Sequence, residues 1–280
     1  MKKPGLVLVG TPIGNLDDLS LRAARELKEA DAICCEDTRR TGKLLAHLQC
    51  SPRPPLIVVN DHTEKDQSER IVSKIRNGER IAMVTDAGMP AISDPGEFIV
   101  PQVTEAGLPI EVVPGPSAGI TALVGSGISS RRYFFEGFLP RKGGDRTSRL
   151  QEISRSRHTV IIYESPRRLS KTLQDLAEYL GDDRRATIAR ELTKIHEEYF
   201  RSTLGQLAQS LSSKELKGEI VIILEGAPET DKMSDKEVLL ALSEAKGQGL
   251  STRDAVREIA EISGISKRVV YELYLSASRN

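Results

Sequence analysis

The chain has 280 residues, with 40 Lys/Arg matched by 40 Asp/Glu. Zero formal charge excludes a protein that holds polyanions through bulk charge, although a local basic patch stays open. With 39% hydrophobic and 29% charged residues, wholesale disorder is excluded, and the length suits two medium domains with a small appendage.

The first ten residues, MKKPGLVLVG, hold an apolar run too short for a signal peptide or a membrane span. GLVLVG at 5–10 reads as a buried strand. SLRAARELKEAD at 20–31 reads as a helix capped by Ser20, with Leu21, Ala24, Leu27 and Lys28 at helical spacing. Strands are expected at 32–36, 55–60, 80–86 and 109–115, with helices at 67–78 and 97–107 between them. This alternation predicts a mostly parallel sheet with helices on both faces. Cys34, Cys35 and Cys50 are the only cysteines and form no CxxC pair. They cannot build a disulfide framework, and the adjacent Cys34 and Cys35 read as small core residues of a protein in the reducing cytoplasm.

In the second half, strands are expected at 133–140, 158–164, 184–193 and 218–226. SPRRLSKTLQDLAEYLG at 165–181 reads as a helix with Ser165 as cap and Pro166 in its first turn. Shorter links between these strands predict a mixed sheet. A polar linker at 227–235 precedes three helical patterns, the last two joined through Gly264 like a helix-turn-helix. The expected organisation is an α/β domain at 1–115, a second α/β domain at 116–228 and a small helical unit at 229–280.

GTPIGN at 10–15 follows the first strand. It lacks the Lys-Ser/Thr of a phosphate loop and the spacing of a dinucleotide fingerprint. Other Gly/Pro loops also follow strands: TDAGMPAISDPG at 85–96, PGPSAG at 114–119 and YESPRR at 163–168. Small residues at several strand ends expose backbone to a ligand and point to one shared cleft between the two α/β halves.

These loops, together with CEDTRRTGKLL, FEGFLPRK and ARELTKIHEE in the same order, resemble the tetrapyrrole methylase superfamily. Within it they are similar to the branch that methylates the ribose 2′-oxygen of a cytidine in 16S ribosomal RNA. The resemblance implies S-adenosylmethionine as cofactor, no metal, a homodimer, and 16S rRNA within the small ribosomal subunit as partner. It places Pro12, Ile13, Asp86, Met89, Ser117, Ala118, Tyr163, Glu164 and Leu192 beside the cofactor, mostly through backbone. Pro12 and Ile13 depart from the first loop of the porphyrinoid-modifying branches.

Methylating a ribose hydroxyl needs a positioned hydroxyl and help in removing its proton. The candidates are Glu36 and Asp37, which end the second strand, and Lys194, His196 and Glu197 after the ARELT strand. Lys194 serves either as a cation or, with a pKa depressed by burial, as a base. Asp37 and Glu36 read equally well as caps. Residues 131–157 hold eight Lys/Arg and three Asp/Glu. Among them Arg141, Lys142 and Arg146 surround Gly143 and Gly144, read as a flexible RNA-binding loop. Arg39, Arg40 and Lys43 form a second candidate RNA patch. Tyr133, Phe134 and Phe135 read as strand core rather than base-stacking platforms. The competing readings are a methyltransferase acting on a porphyrinoid or a protein, and a non-enzymatic RNA-binding module built on the C-terminal helices.

Overall fold

The computed structural model describes every residue except 1, 2, 61, 62, 213, 215, 229–233, 264, 265 and 278–280. The described chain divides into two units, residues 1–154 with 158–225 and residues 155–157 with 226–280.

The first unit contains two sheets. β1 (Gly5–Val9), α1 (Leu21–Glu29), β2 (Ala32–Cys35), α2 (Thr38–His47), β3 (Leu56–Val58), α3 (Glu64–Arg76), β4 (Arg80–Met83), α4 (Ile99–Glu105) and β5 (Ile110–Val113) form the first α/β layer set. Its sheet is wholly parallel, in the order β3-β2-β4-β1-β5. Every residue of β1 is buried because both sheet faces are covered. Leu6 and Leu8 pack with Ile71, Met83 and Ile99 on one face, while Val7 and Val9 pack with Leu27, Ile33 and Leu45 on the other. Ser20 caps α1, its hydroxyl accepting from the Ala23 N–H. The buried face of that helix is Ala23 and Leu27; Leu21, expected inside, is 89% exposed. A hydrophobic residue directly after the cap points away from the sheet.

The second sheet follows: α5 (Ala118–Ser126), β6 (Tyr133–Phe138), α6 (Gly144–Arg155), β7 (Thr159–Glu164), α7 (Pro166–Leu180), β8 (Arg185–Arg190), β9 (Glu198–Thr203), α8 (Leu204–Leu211) and β10 (Ile220–Leu224). Its order is β6-β7-β10-β8-β9, with β6 and β7 parallel and the other neighbours antiparallel, so the sheet is mixed. α5 packs on one face against Ile161, Ala189, Val221 and Ile223, joined there by Ile13 from the first half. The elements α2, α5, α6, β9 and α8 are not among those expected from pattern alone. α5 is apolar nearly all round and carries Gly119 and Gly125, which hides its helical period. Of the stretch read as a flexible loop, residues 141–143 stay outside any helix, whereas Gly144 onward is the first turn of α6.

The second unit is a three-helix cluster of α9 (Asp235–Gly247), α10 (Thr252–Ser263) and α11 (Lys267–Ala277) around Val238, Leu242, Val256, Ile259 and Val270. Ser234 and Glu237 close a reciprocal capping box at the start of α9. The expected turn at Gly264 and most of the expected linker, 229–233, lie outside the described residues. Among the described residues, no helix is long and apolar enough to cross a membrane.

Candidate functional site

The site is built where the loops of the first sheet meet those of the second. β1 and β5 end in glycines that touch. A Cβ on Gly10 would lie 2.7 Å from the Gly115 backbone and from Met89 Sδ, so neither strand end could close with a larger residue. The Gly10 N–H donates to Val113 O at 3.0 Å, and Thr11 and Gly88 exchange backbone hydrogen bonds of 2.8 and 3.2 Å. The loop after β4 is thereby tied to the loop after β1. That β4 loop bends through Gly88, Ala91, Ser93 and Gly96, all at positive φ. Ala91 and Ser93 adopt this conformation at a steric cost, a feature that clusters at ligand-holding loops. The loop is held from below by Glu64, whose buried carboxylate accepts the N–H groups of Gly96, Phe98 and Ile99 at 2.8, 2.8 and 3.0 Å. Pattern reading missed Glu64; its only signal is its place at the first position of α3, which reads as ordinary helix acidity.

From the second sheet, β7 delivers Tyr163 and Glu164. The Tyr163 hydroxyl accepts from the Gly119 N–H at 3.1 Å, and its ring meets Phe135 and Phe138 edge-on at 4.9 and 5.7 Å. The Glu164 carboxylate points away from the opening. It accepts from Ser165 N–H at 2.8 Å, from Thr172 Oγ1 at 2.7 Å and from Arg168 Nε at 3.2 Å. That leaves its backbone to face the opening.

Two cavities result. The first, about 340 Å³, is lined by Ile13, Asp86, Met89, Ser117, Ala118, Tyr163, Glu164 and Leu192, with Phe138, Gly218 and Glu219 among the further walls. Pro12 alone of the expected cofactor residues falls outside it. Pro12 lines the second cavity, about 320 Å³, with Thr41, Lys43, Thr85 and Lys194. Ile13, Arg40, Asp86, Ala87 and Glu219 line both, so the cavities share one wall. Thr85 Oγ1 is buried at this junction and has no hydrogen-bond partner among the described residues. The apolar slot between Ile13, Leu192 and Val221, the small residues Gly88 and Ala118, and carboxylates at Asp86 and Glu219 suit a flat heterocycle joined to a cationic chain.

The charged groups of the shared wall are interlocked. Arg40 pairs with Asp86 at 3.3 Å, and Asp86 also accepts the Asp37 N–H at 3.2 Å. Burial raises the Asp86 pKa, outweighing the pull of Arg40. Asp37 is the cap of α2 and grips Arg39 through contacts of 2.7 to 3.0 Å. Those hydrogen bonds hold its carboxyl well below the usual range, which makes Asp37 a weaker proton acceptor than an ordinary carboxylate. Lys194 Nζ bonds Glu191 Oε1 at 2.7 Å and Glu219 Oε2 at 3.0 Å. Burial disfavours the ammonium, but the two carboxylates outweigh it and the pKa rises. Of the two roles left open for Lys194, the raised pKa favours the cation over the base. Glu197 accepts the Thr193 N–H at 2.6 Å within the turn after β8, and Glu36, exposed after β2, lines neither cavity. His196 is exposed on that turn.

Of the expected RNA contacts, Arg39 is exposed but paired, Arg40 and Lys43 line the second cavity, and Arg141 and Lys142 are exposed before α6. Arg146 is a correction. It is 8% exposed, bonded to Asp175 at 2.9 Å, Thr172 at 3.0 Å and Pro140 O at 2.8 Å, so it ties α6 to α7 instead of facing RNA. Tyr133 and Phe135 stand partly exposed on β6, whereas Phe134 packs on the core. Among the described residues, no group of three His, Cys, Asp or Glu side chains is placed to hold a metal ion.

A family model described as Tetrapyrrole (Corrin/Porphyrin) Methylases matches residues 5–208. A Synechocystis protein named ribosomal RNA small subunit methyltransferase I is 41% identical, the match covering 96% of this chain and 97% of that one. Proteins of the same name from Escherichia coli O157:H7 and Bacillus subtilis are 41% and 36% identical, over 96% of this chain and 94% and 93% of theirs. Among solved structures, the methyltransferase CobJ is similar with a TM-score of 0.62 at 17% identity, covering 80% of this chain and 94% of its own. Diphthine synthase is similar with a TM-score of 0.58 at 12% identity, over 79% of this chain and 89% of its own. The last two likenesses concern the fold.

Proposed function

Because the chain belongs to the tetrapyrrole methylase family and is 36% to 41% identical along nearly its whole length to ribosomal RNA small subunit methyltransferases I, we propose that it methylates 16S rRNA with S-adenosylmethionine, at the ribose 2′-hydroxyl of a cytidine in the small-subunit decoding region. The observation that carries this reading is the full-length identity, reaching through both sheets and into the helical unit. The paired cavities support it, since one suits the cofactor and its neighbour stands beside it with Lys43, Arg40 and Lys194 in its walls.

Bound in the first cavity, S-adenosylmethionine supplies a methyl group on a sulfonium, already activated for attack. Ile13, Met89, Leu192 and the backbone at Ser117, Ala118, Tyr163 and Glu164 would hold it and keep water out. The chain must then position the hydroxyl and take its proton. Lys194, kept charged by Glu191 and Glu219, favours the developing alkoxide from the second cavity. Asp86 walls both cavities and receives the proton, its basicity raised by burial. Lys43 and Arg40 hold the flanking phosphates. Residues 1–115 and 116–228 act as the two lobes around the cofactor. Ile120 and Val124, one turn apart on α5 and 42% and 77% exposed, support a homodimer, which we place in the cytoplasm.

The test uses small ribosomal subunits from a strain lacking this protein. Labelled S-adenosylmethionine and the purified chain should place one methyl on a cytidine ribose of the 16S rRNA. Label on a base, on protein or nowhere in the rRNA defeats the proposal.

A further inference from the structure

The three-helix unit has a groove of its own, open and about 740 Å³, between α10 and α11. Arg253 and Arg257 stand one turn apart on α10. Lys267, Tyr271 and Tyr274 follow one stripe of α11, with Arg268 beside them. The groove walls thus hold four cations, two tyrosines and no carboxylate. This local bias is invisible in the near-neutral composition of the segment, because no carboxylate lines the groove itself, although Asp254 and Glu272 stand beside it.

Two of the cations are tied only loosely. Arg257 pairs with Asp254 at 3.0 Å and Arg268 with Glu272 at 2.9 Å, all four side chains being about half exposed or more. Exposed pairs of this kind hold weakly and release a guanidinium to a stronger anion. Arg253 and Lys267 are exposed and have no ion pair among the described residues. Tyr271 is 47% exposed, and Lys246 sits 4.9 Å from the Tyr274 ring centre and bonds its hydroxyl at 2.6 Å. Cations that follow a backbone, next to an exposed aromatic face, are the chemistry of single-stranded nucleic acid binding.

We propose that this groove is a second RNA-binding site, taking the phosphodiester backbone of a single-stranded RNA segment with Tyr271 as a base platform. It rests on the reading of rRNA as substrate only for the choice of RNA over other polyanions. The site raises the affinity of the enzyme for its RNA without entering the chemistry.

The test uses the full chain and a mixed-sequence single-stranded RNA of about 12 nucleotides, within the usual site size. Four phosphate contacts predict a log–log salt slope of roughly −2.8 from this groove. The Arg253→Gln/Lys267→Gln double variant should lower the slope by about 1.4 and weaken binding about tenfold. Tyr271→Ala should weaken it about tenfold with no change in slope. S-adenosylmethionine affinity and methyl transfer at saturating RNA should stay as in the wild type. The Arg253→Lys/Lys267→Arg variant keeps the charge and should restore binding, which separates contact loss from misfolding. Wild-type affinity and slope in the Gln variant overturn the proposal, as does equal binding of a polyglutamate peptide by the groove. If no methyl enters rRNA yet the Gln variant still loses oligonucleotide affinity, the substrate reading falls and the groove stands.

Discussion

The Asn15 N–H donates to Thr193 Oγ1 at 3.0 Å, joining two loops 178 residues apart in sequence. Thr193 is at positive φ, as is Glu191, so this turn after β8 is held in a conformation that costs energy. Gly14 lies in the same contact. A Cβ there would fall 2.5 Å from Lys194 Cγ, 2.7 Å from Thr193 Oγ1 and 2.9 Å from Leu192 O. The carbonyl is backbone and cannot turn aside.

Gly14→Ala should therefore push the first-strand loop off the β8 turn and open the wall between the cavities. We expect S-adenosylmethionine to bind about tenfold more weakly, or ~1.4 kcal/mol. Titration calorimetry reads this directly, and an unchanged dissociation constant would show that the contact does not shape the cofactor site.

Glu64 satisfies three backbone N–H groups with one oxygen. Glu64→Ala leaves those donors buried without partners, at a cost of about 2 kcal/mol. For a chain of this size the melting temperature should fall by roughly 4–8 °C. Cofactor binding should weaken in parallel, since the β4 loop loses its support. A variant that melts like the wild type would refute the role.

Lys194→Met removes the cation while keeping much of the side-chain length. Turnover should fall by about a hundredfold with little change in cofactor affinity. The pH profile decides between cation and base. The folded pKa of Lys194 lies above its ordinary 10.5, so the ammonium is fully present below that pH and its stabilising pair is lost only as pH rises beyond it. Wild-type activity should accordingly show no ionisation assignable to Lys194 between about pH 6 and 9. An acidic limb in that range, activity rising with pH, that vanishes in Lys194→Met would instead make it a base.

Cys34 is fully buried, and burial pushes its thiol up to about 12, with adjacent Cys35 adding to the shift. Its folded pKa exceeds the unfolded value of 9.0, so the contribution is intact below pH 9 and is lost as pH rises from there toward 12. Stability should decline over this window by up to about 1.4 kcal/mol per pH unit. Denaturant titrations across it should show a shallower decline for Cys34→Ala. Cys34, Cys35 and Cys50 are all buried, so a thiol reagent at pH 8 should modify none of them before unfolding.

The sequence by itself determined the strand-and-loop grammar of this protein. Runs such as GLVLVG are buried on both faces, and their unbroken apolar character requires a sandwiched parallel sheet. The Gly/Pro loops at strand ends were legible because their composition is local, and residues from them line the first cavity. What the tertiary structure alone decided is the state of each charge. Arg146 reads as a loop cation, yet it meets Asp175 across 29 residues and is buried. Lys194 reads equally as cation or base, and only its contacts with Glu191 and with Glu219, 25 residues on, favour the ammonium. Glu64 reads as helix acidity, yet it carries the β4 loop 32 residues away. Backbone preference follows from near neighbours, whereas burial and ionisation follow from whichever distant groups the fold brings within a hydrogen bond.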